Sequence, residues 1–566
     1  MIGLCFGQSP MQSEIVTVLE EQLVENKARL HLPSAPEVYH LRYHFYDMEQ
    51  YDATATMGAL LEESTDPYQY LGIEVRVGDH SFDNTGFGGW ENGFTGAWLP
   101  EGVTPHAATL AAWRETDRAY KQAVEQYARK RAQFEAPDDY PGDYTELAPI
   151  QDSLGRGKAS DASILRARAQ HLSKELSGDP LIHRGEVHIG QESGTHWILD
   201  STGTRISRPV QEATLAAVIH VRAKDGMLLT DHRLWSASNT ETLPAEEEMI
   251  QEVRHMRDHL LALAERPTVS NEYVGPVLFE GDAATDIFRF LLLPQMEGTP
   301  PEIPFDSFLG DIGSRGNGKA RLGRRVLPAG WTVVDDPQGN PNHPSAFQYD
   351  SEGSPSRAVK SIEDGILRVP MMSRVPRKDL RQTNGHARGI ERSRLSGRVT
   401  QVSVSAPSIT SSKKLHKKAR RIAESYGRSG YYLVTKLQEN AARSLGGMPS
   451  FSSGEDGTVR LPIPVSVYWV DANGIRTELR GARFTGVQRW ILRDIVSAGK
   501  TTSRTFMIPS SPGGGLYSPT QGLPTLINAP SILVGEMELV PAPGDSKAVP
   551  VLPHPLSEIN SDTPKP

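Results

Sequence analysis

Between residues 13 and 30, the apolar positions Ile15, Val18, Leu19, Leu23, Ala28 and Leu30 recur among charged residues at roughly the spacing of one helix face. Ser13 stands where an N-cap belongs and Pro33 closes the segment, so a helix is predicted here. The pattern then takes on the period of strands. Runs at 38–46, 53–61 and 70–77, the outer two rich in aromatic and β-branched residues, predict an antiparallel meander with turns at Asp66-Pro67 and Gly78-Asp79. Residues 105–135, rich in Ala, Arg, Gln and Glu, read as helix; a Pro/Asp/Gly stretch at 136–142 interrupts, and helix resumes over 159–177. Strand texture returns at 186–235, as in Val187-His188-Ile189-Gly190 and Ala217-Val218-Ile219-His220-Val221. A helix is predicted over 244–266, with Glu246, Glu247 and Glu248 in its first turn, where the helix dipole favours negative charge.

After Pro267, short apolar runs divided by Gly, Pro and Ser continue to Leu539, with one basic helix near 413–426. The expected fold is α+β in two domains. Residues 13–266 form mixed helices and antiparallel sheet with a helical insertion near 91–177, and 267–540 form a β-rich domain. Residues 541–566, rich in Pro, Ser and Asp, read as a disordered tail.

A chain of 566 residues exceeds one ordinary core, which agrees with two domains. The net charge of −9 argues against a protein that coats nucleic acid through overall charge, so nucleic acid is not an expected partner. Cys5 is the single cysteine, which excludes an intramolecular disulfide and any multi-cysteine zinc or iron–sulfur site. No apolar run is long enough to cross a bilayer, so no membrane partner is expected. Residues 1–7 are briefly apolar but carry no basic n-region. The default compartment is the cytoplasm, with export expected only if a leader was trimmed.

Three motifs invite a chemical reading. Gly313-Ser314-Arg315-Gly316-Asn317-Gly318-Lys319-Ala320 is one residue short of a phosphate-binding loop, because Ala320 stands where a magnesium-binding hydroxyl belongs. No strand is predicted before it, and the strand-like Thr332-Val333-Val334-Asp335-Asp336 follows too soon, so a surface loop is expected. His255 and His259 lie four apart on a predicted helix, but Met256-Arg257-Asp258 between them lacks the zinc-peptidase Glu, and solvent-facing histidines are expected. Lys413, Lys414, Lys417, Lys418, Arg420 and Arg421 cluster on the basic helix without interleaved aromatics, as on a solvated face. No Gly-x-Ser-x-Gly elbow occurs, and serine or cysteine nucleophilic catalysis has no positive signal.

Several separated segments, in order along nearly the whole chain, resemble the TldD/PmbA family. They are Leu71-Gly72-Ile73-Glu74-Val75-Arg76-Val77-Gly78 with Ser81-Phe82-Asp83-Asn84-Thr85; Gly275-Pro276-Val277-Leu278-Phe279-Glu280; Asp306-Ser307-Phe308-Leu309-Gly310-Asp311; Leu322-Gly323-Arg324-Arg325-Val326; Thr332-Val333-Val334-Asp335-Asp336-Pro337; Leu479-Arg480-Gly481-Ala482-Arg483-Phe484; and Ala529-Pro530-Ser531-Ile532-Leu533-Val534. Catalytic members of that family carry His-Glu-x-x-x-His on a helix, gripping zinc beside a Glu that serves as general base, and take a further ligand from a later cysteine. The resemblance places Phe279 at the first His, Glu280 at the Glu and Ala284 at the second His, and the window expected to supply the cysteine, 501–515, contains none. Phe and Ala offer no lone pair to a metal.

The likeness is closest to the metal-free PmbA (TldE) type. It implies a non-catalytic subunit or pseudoenzyme that binds extended, unfolded peptide in a peptidase assembly, as a homodimer or a heterodimer with a TldD-like subunit. It also implies no cofactor where catalytic members hold zinc, and Glu280 as a helix N-terminal acid or packing relic. Two other functions compete: a divergent active metallopeptidase with unrecognised ligands among the 17 histidines, and a DNA- or topoisomerase-associated modulator working through the basic helix.

Overall fold

The structure, a computed structural model, describes residues 10–88, 92–303, 322–389, 395–439, 458–510 and 518–542. The phosphate-loop lookalike at 313–320, the segment 306–311 and the tail beyond 542 lie outside the described residues.

The first helix, α1 (Pro10–Arg29), begins three residues before the expected Ser13 cap. β1 (Val38–Thr56) and β2 (Ala59–Val77) are the two 19-residue strands of one hairpin. The expected middle strand at 53–61 is therefore a hairpin tip. Met57 and Gly58 both take positive φ, 53° and 82°, the conformation of a two-residue turn that matches strand twist. Asp66-Pro67 does not turn; both residues lie inside β2, beyond the reach of β3 (Phe94–Leu99), which covers only Gln69 to Glu74. An edge strand tolerates the proline.

Then follow α2 (Pro105–Gln133), β4 (Gln151–Ser153), α3 (Ala162–Glu175), β5 (Ile182–Asp200), β6 (Arg205–Arg222), β7 (Leu228–Ala237) and α4 (Glu246–Ala264). The sheet runs β3-β2-β1-β5-β6, with β4 and β7 both on β6. Strand alternation divides its faces. Leu41, Tyr43, Phe45, Tyr51, Ala53 and Ala55 of β1 are buried on the side covered by α1 and α2 at one end and α3 and α4 at the other. The helices within 91–177 thus belong to this layer. The alternate residues His40, Arg42 and His44 are also buried, but on the face turned toward the second half of the chain.

That half comprises β8 (Tyr273–Phe279), α5 (Asp282–Leu291), α6 (Leu293–Met296), β9 (Thr332–Asp335), β10 (Val359–Glu363), β11 (Ile366–Leu367), β12 (Ala387–Arg388), β13 (Ser396–Gly397), β14 (Gln401–Ser405), α7 (Ser412–Ser425), β15 (Gly430–Leu437), β16 (Pro464–Asp471), β17 (Arg476–Leu479), β18 (Ala482–Thr485), β19 (Ile495–Ile508) and β20 (Leu523–Pro541). The expected basic helix is α7; α5 and α6 are additional. Eleven strands form one sheet in the order β11-β10-β9-β14-β20-β8-β15-β16-β17, with β18 and β19 also on β20, while β12 and β13 make a separate ribbon. α5 packs on one face of this sheet with Phe279, and α7 on the other with Leu278. The whole is an α+β fold of two domains.

Buried charge joins the halves. Tyr144 lies between two guanidiniums, with Arg76 Cζ 3.6 Å and Arg374 Cζ 4.1 Å from its ring centroid. Glu74 accepts from Arg42 at 2.8 Å, Asp83 accepts from Arg76 at 2.9 Å, and Arg208 reaches the Tyr349 carbonyl at 3.0 Å. Cations buried this deeply persist because carboxylates and aromatic faces surround them.

Candidate functional site

Phe279, Glu280 and Ala284 do not share a helix face. Phe279 is the last residue of β8, and Gly281, with φ +59°, turns the chain before α5 begins at Asp282. Phe279 is fully buried against Phe484, 5.8 Å between ring centroids, and Ala284 is fully buried in the first turn of α5. Glu280 points elsewhere. It accepts from Ser412 Oγ at 2.9 Å, with its other oxygen 3.6 Å from His416 Nε2, so it sits at the N-terminus of α7. The His416 contact foremost, with Ser412, holds its carboxyl below the usual range despite partial burial.

The helix that follows Gly275–Glu280 nevertheless carries a polar cluster. Asp286 and Arg289, one turn apart in the otherwise apolar stretch of α5, are both buried. Arg289 forms a fork with Glu439, donating through Nη1 and, at 3.0 Å, through Nη2, which also reaches the Met507 carbonyl at 3.1 Å. Its guanidinium lies 4.4 Å from the Phe506 ring centroid. Arg504 of β19 donates to Asp286 Oδ1 at 2.6 Å and to His232 Nε2 of β7 at 2.8 Å. His232 Nε2 is 3.9 Å from Glu439 Oε2. Arg233 and Lys436 flank the group, paired with Asp282 at 3.2 Å and Asp231 at 2.7 Å.

The protonation pattern follows. An arginine only donates, so His232 Nε2 must present its lone pair and the ring proton sits on Nδ1. Burial, reinforced by Arg504, Lys436 and other nearby cations, holds His232 well below the usual imidazole range, so the ring is neutral. Burial pushes Asp286 up to about 6 against the pull of Arg504 and Arg289. His232 Nδ1 and Asp286 Oδ2 are both buried, and neither has a hydrogen-bond partner among the described residues. Ala216, His232, Leu234, Glu439, Arg504 and Phe506 line a narrow pocket between the two sheets.

The two windows assigned to the metal do meet: α5 from one side and residue 504, within 501–515, from the other. They bring guanidiniums. Residues 282–296, spanning α5 and α6, contain no His, Cys or Glu, so shifting the motif along this helix finds no imidazole. The residues present do not fit the family's two-histidine, one-cysteine zinc site, and among the described residues no group of three His, Cys, Asp or Glu is placed to hold a metal.

The other motifs resolve as structure. His259 is half-buried and bonds Glu478 at 2.7 Å, so it does not face solvent as expected, while His255 does. Asp335, within the nucleotide-site lookalike strand, is fully buried and accepts from the backbone N–H groups of Thr400 at 2.8 Å and Gln401 at 3.0 Å. No helix among the described residues is long and apolar enough to cross a membrane.

Residues 271–540 match the family model of the PmbA/TldA metallopeptidase C-terminal domain. The second half of the chain is a TldD/PmbA-type C-terminal domain. No curated protein sequence matches it. Among solved structures, a candidate DNA gyrase modulator from Thermotoga maritima is similar at TM-score 0.58 and 16% identity, covering 94% of this chain and 100% of its own. TldE from Thermococcus kodakarensis gives 0.57 and 14%, covering 92% and 100%. A candidate modulator of DNA gyrase from Bacteroides thetaiotaomicron gives 0.55 and 12%, covering 93% and 98%. At such identities the likeness is one of fold. The chain therefore shares the fold of these structures, with arginines and acids in the windows where the resemblance assigns zinc.

Sequence reading missed His232, Asp286, Arg289, Glu439 and Arg504. One signal was available: Asp286 and Arg289 are the only charges in the mostly apolar run from Ala283 to Leu293, and charges in such a run need partners.

Proposed function

We propose that this chain is a non-catalytic TldD/PmbA-family subunit of the PmbA (TldE) type, which binds extended peptide beside a metal-bearing TldD-type partner. The observation that carries the reading is the Arg289–Glu439 and Arg504–Asp286 pairing where α5 meets β19. Guanidiniums cannot activate a water as a Lewis-acid metal does. The same region offers a place for peptide. β19 pairs with β20 on one side, and among the described residues no strand lies on the other. Lys500, Thr501 and Ser503 along it are exposed, so an added strand would find backbone groups to pair with. The test is cleavage of an unfolded peptide by the purified chain alone and together with a His-bearing TldD-type subunit. Cleavage only in the mixture is expected. Robust cleavage by this chain alone would replace the proposal with a divergent metallopeptidase.

A second reading draws on α7. Lys413, Lys414, Lys417 and Arg421 are exposed and show no ion pair among the described residues, and two structures of similar fold are described as candidate DNA gyrase modulators. Under that reading the chain binds duplex DNA with an affinity that falls steeply with salt, and Lys414→Glu/Lys417→Glu abolishes the binding. Binding unaffected by the pair of substitutions would dismiss it.

A further inference from the structure

We infer that the pocket between the two sheets receives the terminal carboxylate of a peptide lying along the open edge of β19, so that the chain grips peptides by a free C-terminus. The inference rests on the reading that peptide adds to β19, and it assigns the end and the direction of that strand.

Proline placement fixes which backbone groups of β19 face outward. Pro524 and Pro530 of β20 stand opposite Met507 and Thr501. A proline has no N–H, so these are the pairs of an antiparallel ladder that exchange no hydrogen bonds. By alternation Ser503 and Thr505 belong with them. Leu526, opposite Thr505, accordingly gives its N–H to the Thr400 carbonyl at 2.9 Å, away from β19. The N–H and C=O groups of Thr501, Ser503, Thr505 and Met507 therefore point to the open edge. At Met507 that edge closes, because its carbonyl accepts from Arg289 Nη2 at 3.1 Å. An added strand can use Thr501, Ser503 and Thr505 and must end beside Met507.

The pocket lies at that end, with His232, Glu439, Arg504 and Thr505 as its polar lining. This lining chiefly donates. His232 is 5% exposed, and its Nδ1–H has no partner among the described residues. Asp286 and His232 take two of the five N–H groups of Arg504, and Thr505 turns its backbone N–H outward. Both oxygens of Glu439 are occupied by Arg289, so the one carboxylate in the lining is already matched. A carboxylate at the end of a strand suits such a set of donors. An ammonium group would meet the His232 N–H with donors of its own, so the peptide runs parallel to β19, its C-terminus at Met507. The plainer account makes His232 a neutral spacer that only holds Arg504. That role uses Nε2 alone and leaves a buried N–H unpaired, which lowers stability and serves nothing.

The test measures binding of a short unstructured peptide, dye-labelled at its N-terminus, to the full-length chain by fluorescence anisotropy. The peptide is made as the free acid, as the C-terminal amide, and as the amide with an internal Asp. The free acid is expected to bind about tenfold more tightly than either amide, and His232→Ala is expected to close that gap. Ser503→Pro, which removes an outward N–H but no bond to β20, is expected to weaken all three forms alike. Equal binding of acid and amide, or a gap that survives His232→Ala, would overturn the inference and leave peptide binding standing. An internal-Asp form that binds as tightly as the free acid would overturn the assignment to the chain end. Binding undiminished by Ser503→Pro would take the peptide off β19 and overturn it as well. No binding of any form would overturn the peptide-binding reading itself, and this inference with it. Should His232→Ala unfold, the comparison of acid and amide on the unmodified chain decides.

Discussion

Glu280 shows how far a residue's neighbours in sequence can mislead about its neighbours in space. It follows a family-like run and precedes a helix, yet its oxygens serve Ser412 and His416, on the opposite face of the sheet from α5. The resemblance could not show where strand ends and helix begins in this segment, because that is set by Gly281 in a left-handed conformation. The residues that do meet the second metal window were unreadable for another reason: His232 and Arg504 are 272 positions apart, and no spacing rule spans that distance. Arg289 and Glu439 permit a direct test. Their side chains are only 9% and 11% exposed, so Glu439→Gln strips a buried guanidinium of its counter-charge. The expected cost is roughly 3 kcal/mol of unfolding free energy, measured by urea denaturation. An unchanged midpoint would mean that the pair does not hold α5 in place.

At the scale of elements, helices were legible because their periodicity runs uninterrupted; α2, α3 and α4 fall close to where apolar spacing put them. Strand lengths were not. The polar stretch Asp47-Met48-Glu49-Gln50 looks like a break between strands, but it lies within β1, which is hydrogen-bonded on both sides there by β2 and β5. Pairing, not hydrophobicity, carries the strand through. Turns are governed by backbone geometry in the same way. Asp364 and Gly365 link β10 to β11 with φ of 50° and 71°. A Cβ on Gly365 would come within 2.2 Å of the Pro328 carbonyl and 2.3 Å of that of Leu327. Gly365→Ala is therefore expected to lower stability by roughly 1–3 kcal/mol, seen as a lower melting temperature, whereas an unchanged melt would show that the turn rearranges freely.

The whole molecule stores an unusual amount of buried, titratable polarity between its two halves. Seven histidines, His40, His44, His196, His220, His232, His343 and His386, are held below the ordinary imidazole range, chiefly by burial, with His220 and His343 pushed down to about 4. Each is neutral in the folded chain and takes up a proton on unfolding below about pH 6.5, so acidification favours the unfolded state. Eight carboxylates are raised by burial and act in the opposite sense: Asp286 up to about 6, Glu212 and Asp350 up to about 7, and Asp52, Asp143, Glu192, Glu297 and Glu352 as well. Between pH 7.5 and 5.5 the seven histidines, which charge near pH 6.5 once unfolded, outnumber the three carboxylates lifted to about 6 or 7. The urea midpoint should therefore fall between pH 7.5 and 5.5; a rise would show that the carboxylates dominate.

The two-domain α+β architecture was readable from texture, and the family of the second domain from ordered segments. The chemistry of the cleft was not, because it depends on which side chains the two sheets bring together. Zinc analysis of the purified full-length chain, after exposure to excess metal and desalting, bears most directly on the central claim that Arg289 and Arg504 have displaced metal chemistry from this cleft. The account predicts far less than one zinc per chain, unchanged by substitution of His232. One tightly held zinc per chain, lost when His232 or Asp286 is replaced, would contradict it.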